Sequence, residues 1–398
     1  MTRIDRRALL RGGLVLGCSA AASPLLTPMA FASAPWENRL VVIVLRGAMD
    51  GLDVLRPVGD PALAALRPTL AGKATPGAIN AGFFAVHPGL DRLAPMWARG
   101  EFGAVHAVST PYRDKRSHFD GQDMLEAGTP GEAGGEGWLN RMLQTVPGLS
   151  AETAYAIGRE EMLILSGRAA ASRWAPEARL RLTPQGRRLL ELVNHEDPLF
   201  RDATAQAMDI VDELAAEEDA ENGGMAGTGD GTLRGDHVRL AEFAASRLRG
   251  DSRIASFSIN GWDTHERQSA GLGRALERLS DTLLTLEAGL GAAWEKTAVL
   301  CVTEFGRTAA ENGTRGTDHG TGGAMLYAGG ALRGGRVLGD WPGLSEADLY
   351  DRRDLMPTRD LRAHAGWVMR GLFGLDRAMI EEAVFPGLEL GADPGLLG

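Results

Sequence analysis

The sequence predicts an α/β protein with a mostly parallel central sheet flanked by helices. Three observations predict it. Near-continuous aliphatic runs, at residues 40–45 and 298–302, suit strands buried on both faces. Stretches with apolar residues three and four apart lie between such runs, giving a βαβ alternation. Each run also gives way at once to glycine and polar residues, as strands do at the ligand-binding edge of an open sheet.

In chain order, residues 40–45 form the first strand, which ends in Arg46-Gly-Ala-Met-Asp50-Gly-Leu. A Gly-bracketed Asp just past a central strand is placed to bind a metal, and a turn-forming Asp-Gly pair is the alternative. Residues 88–97 carry helical spacing through Leu90, Leu93 and Met96 or Trp97, and residues 104–108 make a second strand. After it, Ser117 and Asp120 have the spacing of a capping-box variant opening a helix, with Arg113, Lys115 and Arg116 alongside. A helix N-terminus favours an anion or an activated hydroxyl, so this segment reads as an oxyanion pocket, or else as a plain cap among solvated bases.

Residues 150–250 are read as a helical insertion on the sheet, with helical spacing at 180–193 and 203–216 interrupted by an acidic, Gly-rich loop at 217–235. The sheet resumes at 254–259 and runs into Asn260-Gly-Trp-Asp263-Thr-His265. Leucines at 272, 276, 279, 283, 286 and 290 then mark the clearest helix of the chain. Residues 298–302 deliver Glu304 to the sheet edge, and a polar loop rich in glycine carries Asp318 and His319 before the apolar run at 324–328. That glycine density lets backbone approach a ligand closely. A last helix spans 361–372, where the helical setting of His364 makes it a packing residue.

Carboxylates and imidazoles at several strand ends form a set that divalent metals accept, with caps and loop braces as the structural alternative. The N-terminus is not part of this fold. Asp5-Arg-Arg-Ala-Leu-Leu-Arg11, a mildly apolar stretch and small residues near Ala30 to Ala34 match a twin-arginine export signal over residues 1–34. Residues 35–398 then form a single α/β domain, periplasmic or secreted. Val15-Leu-Gly-Cys18 also resembles a lipoprotein attachment site, a minor alternative.

The full chain of 398 residues carries a net charge of -10; losing residues 1–34 removes four Arg and one Asp and takes it to -13. An acidic mature protein excludes phosphate-tracking nucleic-acid binding and docking on anionic lipid, and no apolar stretch is long enough to span a membrane. Only Cys301 remains, so no internal disulfide forms.

With these residues in view, the chain resembles a twin-arginine-exported bacterial family, the domain of unknown function 1501 family. Arg46-Gly-Ala-Met-Asp-Gly-Leu, Arg116-Ser-His-Phe-Asp-Gly-Gln-Asp, Gly261-Trp-Asp-Thr-His, Thr303-Glu-Phe-Gly-Arg-Thr, Gly316-Thr-Asp-His-Gly and Arg353-Asp-Leu-Met-Pro-Thr look like its motifs. The family is similar in fold to the alkaline phosphatase and sulfatase superfamily of ester hydrolases with one or two metals. The resemblance implies an alkaline-phosphatase-like α/β fold acting on phosphate or sulfate esters of a small molecule or glycan. Export through the twin-arginine translocase would precede that activity. It implies Ser117 as nucleophile, Asp50 as a carboxylate on a metal beside it, and Asp263, His265 and His319 on a second metal.

Glu304 stands where an Asp-His pair is usual; Phe305 follows it, so that imidazole is missing, and His118 or Asp318 is left to compensate. The resulting candidates are Ser117 and His118 for catalysis, and Arg116 and Arg307 for the transferred group. Asp50, Asp263, His265, Glu304, Asp318 and His319 are the candidates for a divalent metal such as Zn, Mn or Ca. The alternative function is a secreted, non-catalytic binding or assembly protein that has kept this fold.

Overall fold

The computed structural model describes residues 34–71, 77–113, 116–130, 135–175 and 235–398. The leader, Cys18, Lys115 and the two helical stretches expected within 176–234 lie outside the described residues.

Among the described residues the main sheet has nine strands: β1 (Arg39–Arg46), β2 (Phe102–Ser109), β3 (Ala154–Ile157), β4 (Ser172–Trp174), β5 (Ile254–Asn260), β6 (Thr297–Val302), β7 (Gly323–Ala328), β8 (Val337–Leu338) and β9 (Arg359–Asp360). Their order is β8-β2-β7-β6-β1-β5-β3-β4, with β9 also on β2. β1 lies at the centre between β5 and β6, parallel to both, with Ile43 opposite Phe257 and Cys301. That central place explains its unbroken aliphatic run, because both faces are covered.

Alternate residues of β1 divide between two cores. Leu40, Val42 and Val44 pack with helices α1 (His118–Ala127), α2 (Trp138–Gln144) and α5 (Leu361–Phe373). Val41, Ile43 and Leu45 pack with α3 (Asp236–Arg249) and α4 (Gln268–Leu290), whose leucines at 272, 276, 279, 283, 286 and 290 are all buried. The segment at 88–97 departs from a plain helix. His87 caps a 3-10 turn over Pro88–Leu93, and only Ala94–Ala98 is α-helical, with Leu90, Leu93 and Met96 still buried.

One strand runs against the others. β7 is antiparallel to both β6 and β2. The loop from 303 to 322 therefore leaves β6 and enters β7 at the same edge of the sheet, where β1, β2 and β5 also end. This single reversal puts Asp318 and His319 beside Glu304, Asp263 and the start of α1. Among the described residues no helix is long and apolar enough to cross a membrane.

His364, on α5, is 2% exposed, and neither ring nitrogen has a hydrogen-bond partner among the described residues. Burial, then the nearby Arg359 charge, pushes its pKa down to about 3. In the unfolded chain the ring titrates near ~6.5, so between these values the unfolded state binds a proton that the folded state refuses, and stability falls as pH falls. The loss reaches about 1.4 kcal/mol per pH unit for one such group. His364→Leu is expected to flatten the acid limb of a urea-denaturation series between neutral pH and mild acid by about one proton. An unchanged slope would contradict this role.

Candidate metal centre

Each element of the carboxyl edge brings one donor group. Ser117 caps α1, its hydroxyl accepting from Asp120 N at 3.4 Å, which sets His118 in the first turn facing the edge. Tyr112 fixes that entry: its hydroxyl accepts from Ser117 N at 2.6 Å and donates to Ser117 O at 3.1 Å. Asp263 and His265 follow β5, and neither caps α4, whose N-cap is Arg267 without a side-chain bond. Asp318 and His319 come from the loop that β7 folds back.

The three imidazoles share one pattern. His118 Nδ1 lies 2.8 Å from Glu304 Oε1, His319 Nδ1 lies 2.9 Å from Arg116 O, and His265 Nδ1 lies 3.3 Å from Asp318 Oδ1. Carbonyl and carboxylate oxygens only accept, so Nδ1 of His118 and of His319 carries the proton and each of those rings, when neutral, keeps its Nε2 lone pair, whereas His265 lies between two carboxylates and either of its nitrogens can carry the proton. Those Nε2 atoms converge on Asp263, at 3.5 Å from Oδ2 for His118 and at 3.1 and 3.6 Å from Oδ1 for His265 and His319. His265 Nε2 and His319 Nε2 are 3.0 Å apart. Among the described residues, His118 Nε2 is buried without a hydrogen-bond partner.

Lone pairs and a carboxylate packed this closely repel unless positive charge lies among them. A proton on one ring relieves only the contacts of that nitrogen, whereas a divalent cation relieves all of them. The spacing fits: donors about 2.0–2.1 Å from a tetrahedral ion stand roughly 3.3 Å from one another. The donor atoms of His118, Asp263 and His319 lie within 4.8 Å of one another. His265 flanks this core on its open side. Asp263 is 47% and His265 40% exposed, so the group is reachable from solvent.

The surroundings suit a cation. Partial burial raises the Asp263 carboxyl, but the bond and charge from Arg307 outweigh it and hold it below the usual range. Burial lowers the His319 ring, which keeps it neutral and free to donate electrons. The bond to Glu304 raises His118.

Glu304 is fully buried and its oxygens are spoken for. Oε1 accepts from Gly47 N at 2.9 Å, His118 Nδ1 and Gln122 Nε2 at 3.3 Å, and Thr303 Oγ1 lies 2.9 Å from Oε2. It thus orients His118 instead of facing the donor cluster. Gly47 is obligatory there: its φ is 122°, and a Cβ would come within 2.5 Å of Asp263 N. Glu304→Gln keeps the shape and removes the charge, and is expected to weaken metal affinity about 10–100-fold in a chelator competition titration. Unchanged affinity would contradict the orienting role.

Arg307 is committed in the same way. Its guanidinium donates to Asp263 Oδ1 at 2.6 Å, Ala48 O at 2.7 Å, Gly47 O at 2.6 Å and Thr317 O at 3.0 Å, and is buried. It positions Asp263 and has no face left for a substrate. Arg116, in contrast, is exposed, and its left-handed backbone (φ 53°) aims its carbonyl at His319. Asp318 braces His265 and accepts from Asn312 Nδ2 at 3.1 Å. The loop glycines let chain approach chain: a Cβ on Gly316 would strike His265 O, and one on Gly322 would strike Leu355 O.

Asp50 stands outside the cluster. Oδ1 accepts from Leu52 N at 3.1 Å and Asp53 N at 3.3 Å, and Oδ2 from Arg67 Nη1 and Gln268 Nε2, both at 2.7 Å. Arg67 supplies the positive charge that a metal was expected to supply. Phe305, in the place of the missing imidazole, stacks on Tyr112 and His118 at ring distances of 5.5 and 5.3 Å. The imidazole at Glu304 comes instead from His118 on α1. Arg67, Gln268 and Gln122 carry no sequence signal of these roles.

A family model described as a protein of unknown function (DUF1501) matches residues 96–373. The chain belongs to the DUF1501 family. The match takes in every member of the DUF1501 cluster and leaves Asp50 and Arg67 outside. No curated protein matches the chain. Among solved structures, it is similar to a protein in the alkaline phosphatase superfamily from Vibrio parahaemolyticus, with 12% identity, TM-score 0.39, and 92% of this chain and 75% of that one covered. It is also similar to the zinc-complexed C-terminal periplasmic domain of EptC from Escherichia coli, with 8% identity, TM-score 0.35, and coverage of 75% and 74%. A third is the lipoteichoic acid synthase LtaP from Listeria monocytogenes, with 9% identity, TM-score 0.36, and coverage of 89% and 77%. These likenesses are of broad layout and assign no role to any residue of the DUF1501 chain.

Proposed function

We propose that this protein is an exported, metal-dependent hydrolase of phosphate or sulfate esters, working with one divalent cation (Zn, Mn or Ca). The observation that carries the reading is the three imidazoles, each with Nδ1 tied to an oxygen and Nε2 turned to Asp263. His118, Asp263 and His319 would hold the cation, with His265 beside it. Such an ion supplies Lewis acidity to an ester oxygen. The export step rests on the twin-arginine pattern of residues 1–34 and would bring the protein, already folded, to the translocase.

The chain's own residues supply the rest. Arg116 puts an exposed positive charge at the mouth, which draws an anionic ester of a small molecule or glycan. Ser117 holds its place through Tyr112, next to His118 and at the N-terminus of α1, where helix dipole favours negative charge. It adjoins His118 in sequence and serves as nucleophile if water does not. His265, half exposed, can carry a proton to or from the reacting group.

A second reading, a non-catalytic binding protein, is favoured by the Asp50–Arg67 pair and by the full engagement of Arg307, which remove two groups from the ester machinery. Aryl phosphate and aryl sulfate hydrolysis separates the two. The enzyme reading predicts turnover that chelation abolishes and metal restores. Metal bound at full occupancy without turnover on either ester class would leave the binding protein.

A further inference from the structure

A cavity of about 460 Å³ opens beside the first turn of α4, away from the histidine cluster, and its wall includes Arg56, Thr69, His87, Arg267, Ser269 and Arg315. Three guanidinium groups on one cavity stand out in a chain of net charge -10. Arg56 is buried and balanced by Asp53 at 2.7 Å. Arg267 and Arg315 are exposed, and among the described residues no ion pair or hydrogen bond engages either side chain. Two segments distant in sequence are pinned together to bring them here: Arg267 N donates to Thr314 O at 3.1 Å and Gln268 N to Arg315 O at 2.9 Å.

Acidic residues are plentiful in this protein, yet among the described residues these two arginines have no acidic partner. Uncompensated guanidinium forks with hydroxyls beside them match the charge and multiple acceptors of a tetrahedral oxyanion. We propose that this cavity binds the phosphoryl or sulfuryl group of an anionic small molecule, at a site separate from the metal centre. The volume exceeds what a bare oxyanion fills, so the bound group is the head of a larger molecule. Thr69 and Ser269 offer hydroxyl donors to it, and His87, whose Nδ1 accepts from Gly89 N at 3.0 Å, closes one side. The site shares its loops with the metal centre, since Arg267 follows His265 and Arg315 precedes Asp318. It does not depend on any turnover there.

The test is titration calorimetry of the chelator-treated full chain with inorganic phosphate, and in parallel with sulfate. Arg267→Gln, Arg315→Gln, the double variant and His319→Ala are compared with the wild type. Both arginines are exposed, so these variants keep the fold, which a thermal midpoint checks. The expected result is saturable binding of at least one oxyanion, weakened about tenfold by each arginine change, as for the loss of a charge-assisted bond. His319→Ala leaves it unchanged. No saturable binding, equal binding by the double variant, or a loss confined to His319→Ala would each overturn the proposal.

Discussion

Arg67→Met is expected to destabilise the fold by about 3–5 kcal/mol, the scale on which a buried charge left without its partner acts. Arg67 and Asp50 are each 1% exposed and meet at 2.7 Å. Burial alone would raise the Asp50 carboxyl, but the charge and bond from Arg67, with Gln268 and Arg307 behind them, keep it below the usual range. Without Arg67, Asp50 must hold its charge in the core on Gln268, Thr317 and the Leu52 and Asp53 amides, with no cation bonded to it, or take up a proton. Arg67 also closes the loop by donating to Ala309 O at 2.9 Å and Thr308 O at 2.7 Å. A urea-denaturation cycle with Asp50→Asn reads the pair directly: the double variant should recover part of the loss. Additive effects of the two changes would contradict a pair that acts as a unit.

Asp263→Ala is expected to abolish metal binding in the chelator-competition range, a larger effect than the roughly 10–100-fold cost of losing an outer partner such as Glu304. Asp263 is the carboxylate that the Nε2 atoms of His118, His265 and His319 all face. It carries the negative charge of the site, and Arg307 holds its Oδ1 in place at 2.6 Å. Its half-exposed position means that the change opens no core cavity, but it leaves the buried Arg307 guanidinium without its carboxylate, so fold stability falls as well and metal affinity is read on the folded fraction. Retained affinity would place the ion elsewhere.

Much of this was legible before any coordinates. The aliphatic runs at 40–45 and 298–302 gave central strands because a strand covered on both faces has no polar side to show. The strand-end positions of Asp263 and His265 followed from the parallel sheet, and Ser117 reads correctly as a cap because that role is local. The division of labour among the polar groups was not legible. Whether Glu304 faces an ion or a ring nitrogen depends on where His118 points, and those residues are far apart in sequence. Arg67 sits in a loop with no periodicity, so nothing in the sequence marks it as the partner of Asp50. The reversal of β7 is likewise hidden, since a short buried run reads the same in either direction.

The most direct test of the metal centre is elemental mass spectrometry on the mature, chelator-free protein, with His118→Ala, His319→Ala and Asp50→Asn beside the wild type. The geometry predicts close to one divalent ion per chain, lost in both histidine variants and kept in Asp50→Asn, whose carboxylate belongs to Arg67. No metal under any loading condition, or metal that survives both histidine changes, would contradict it.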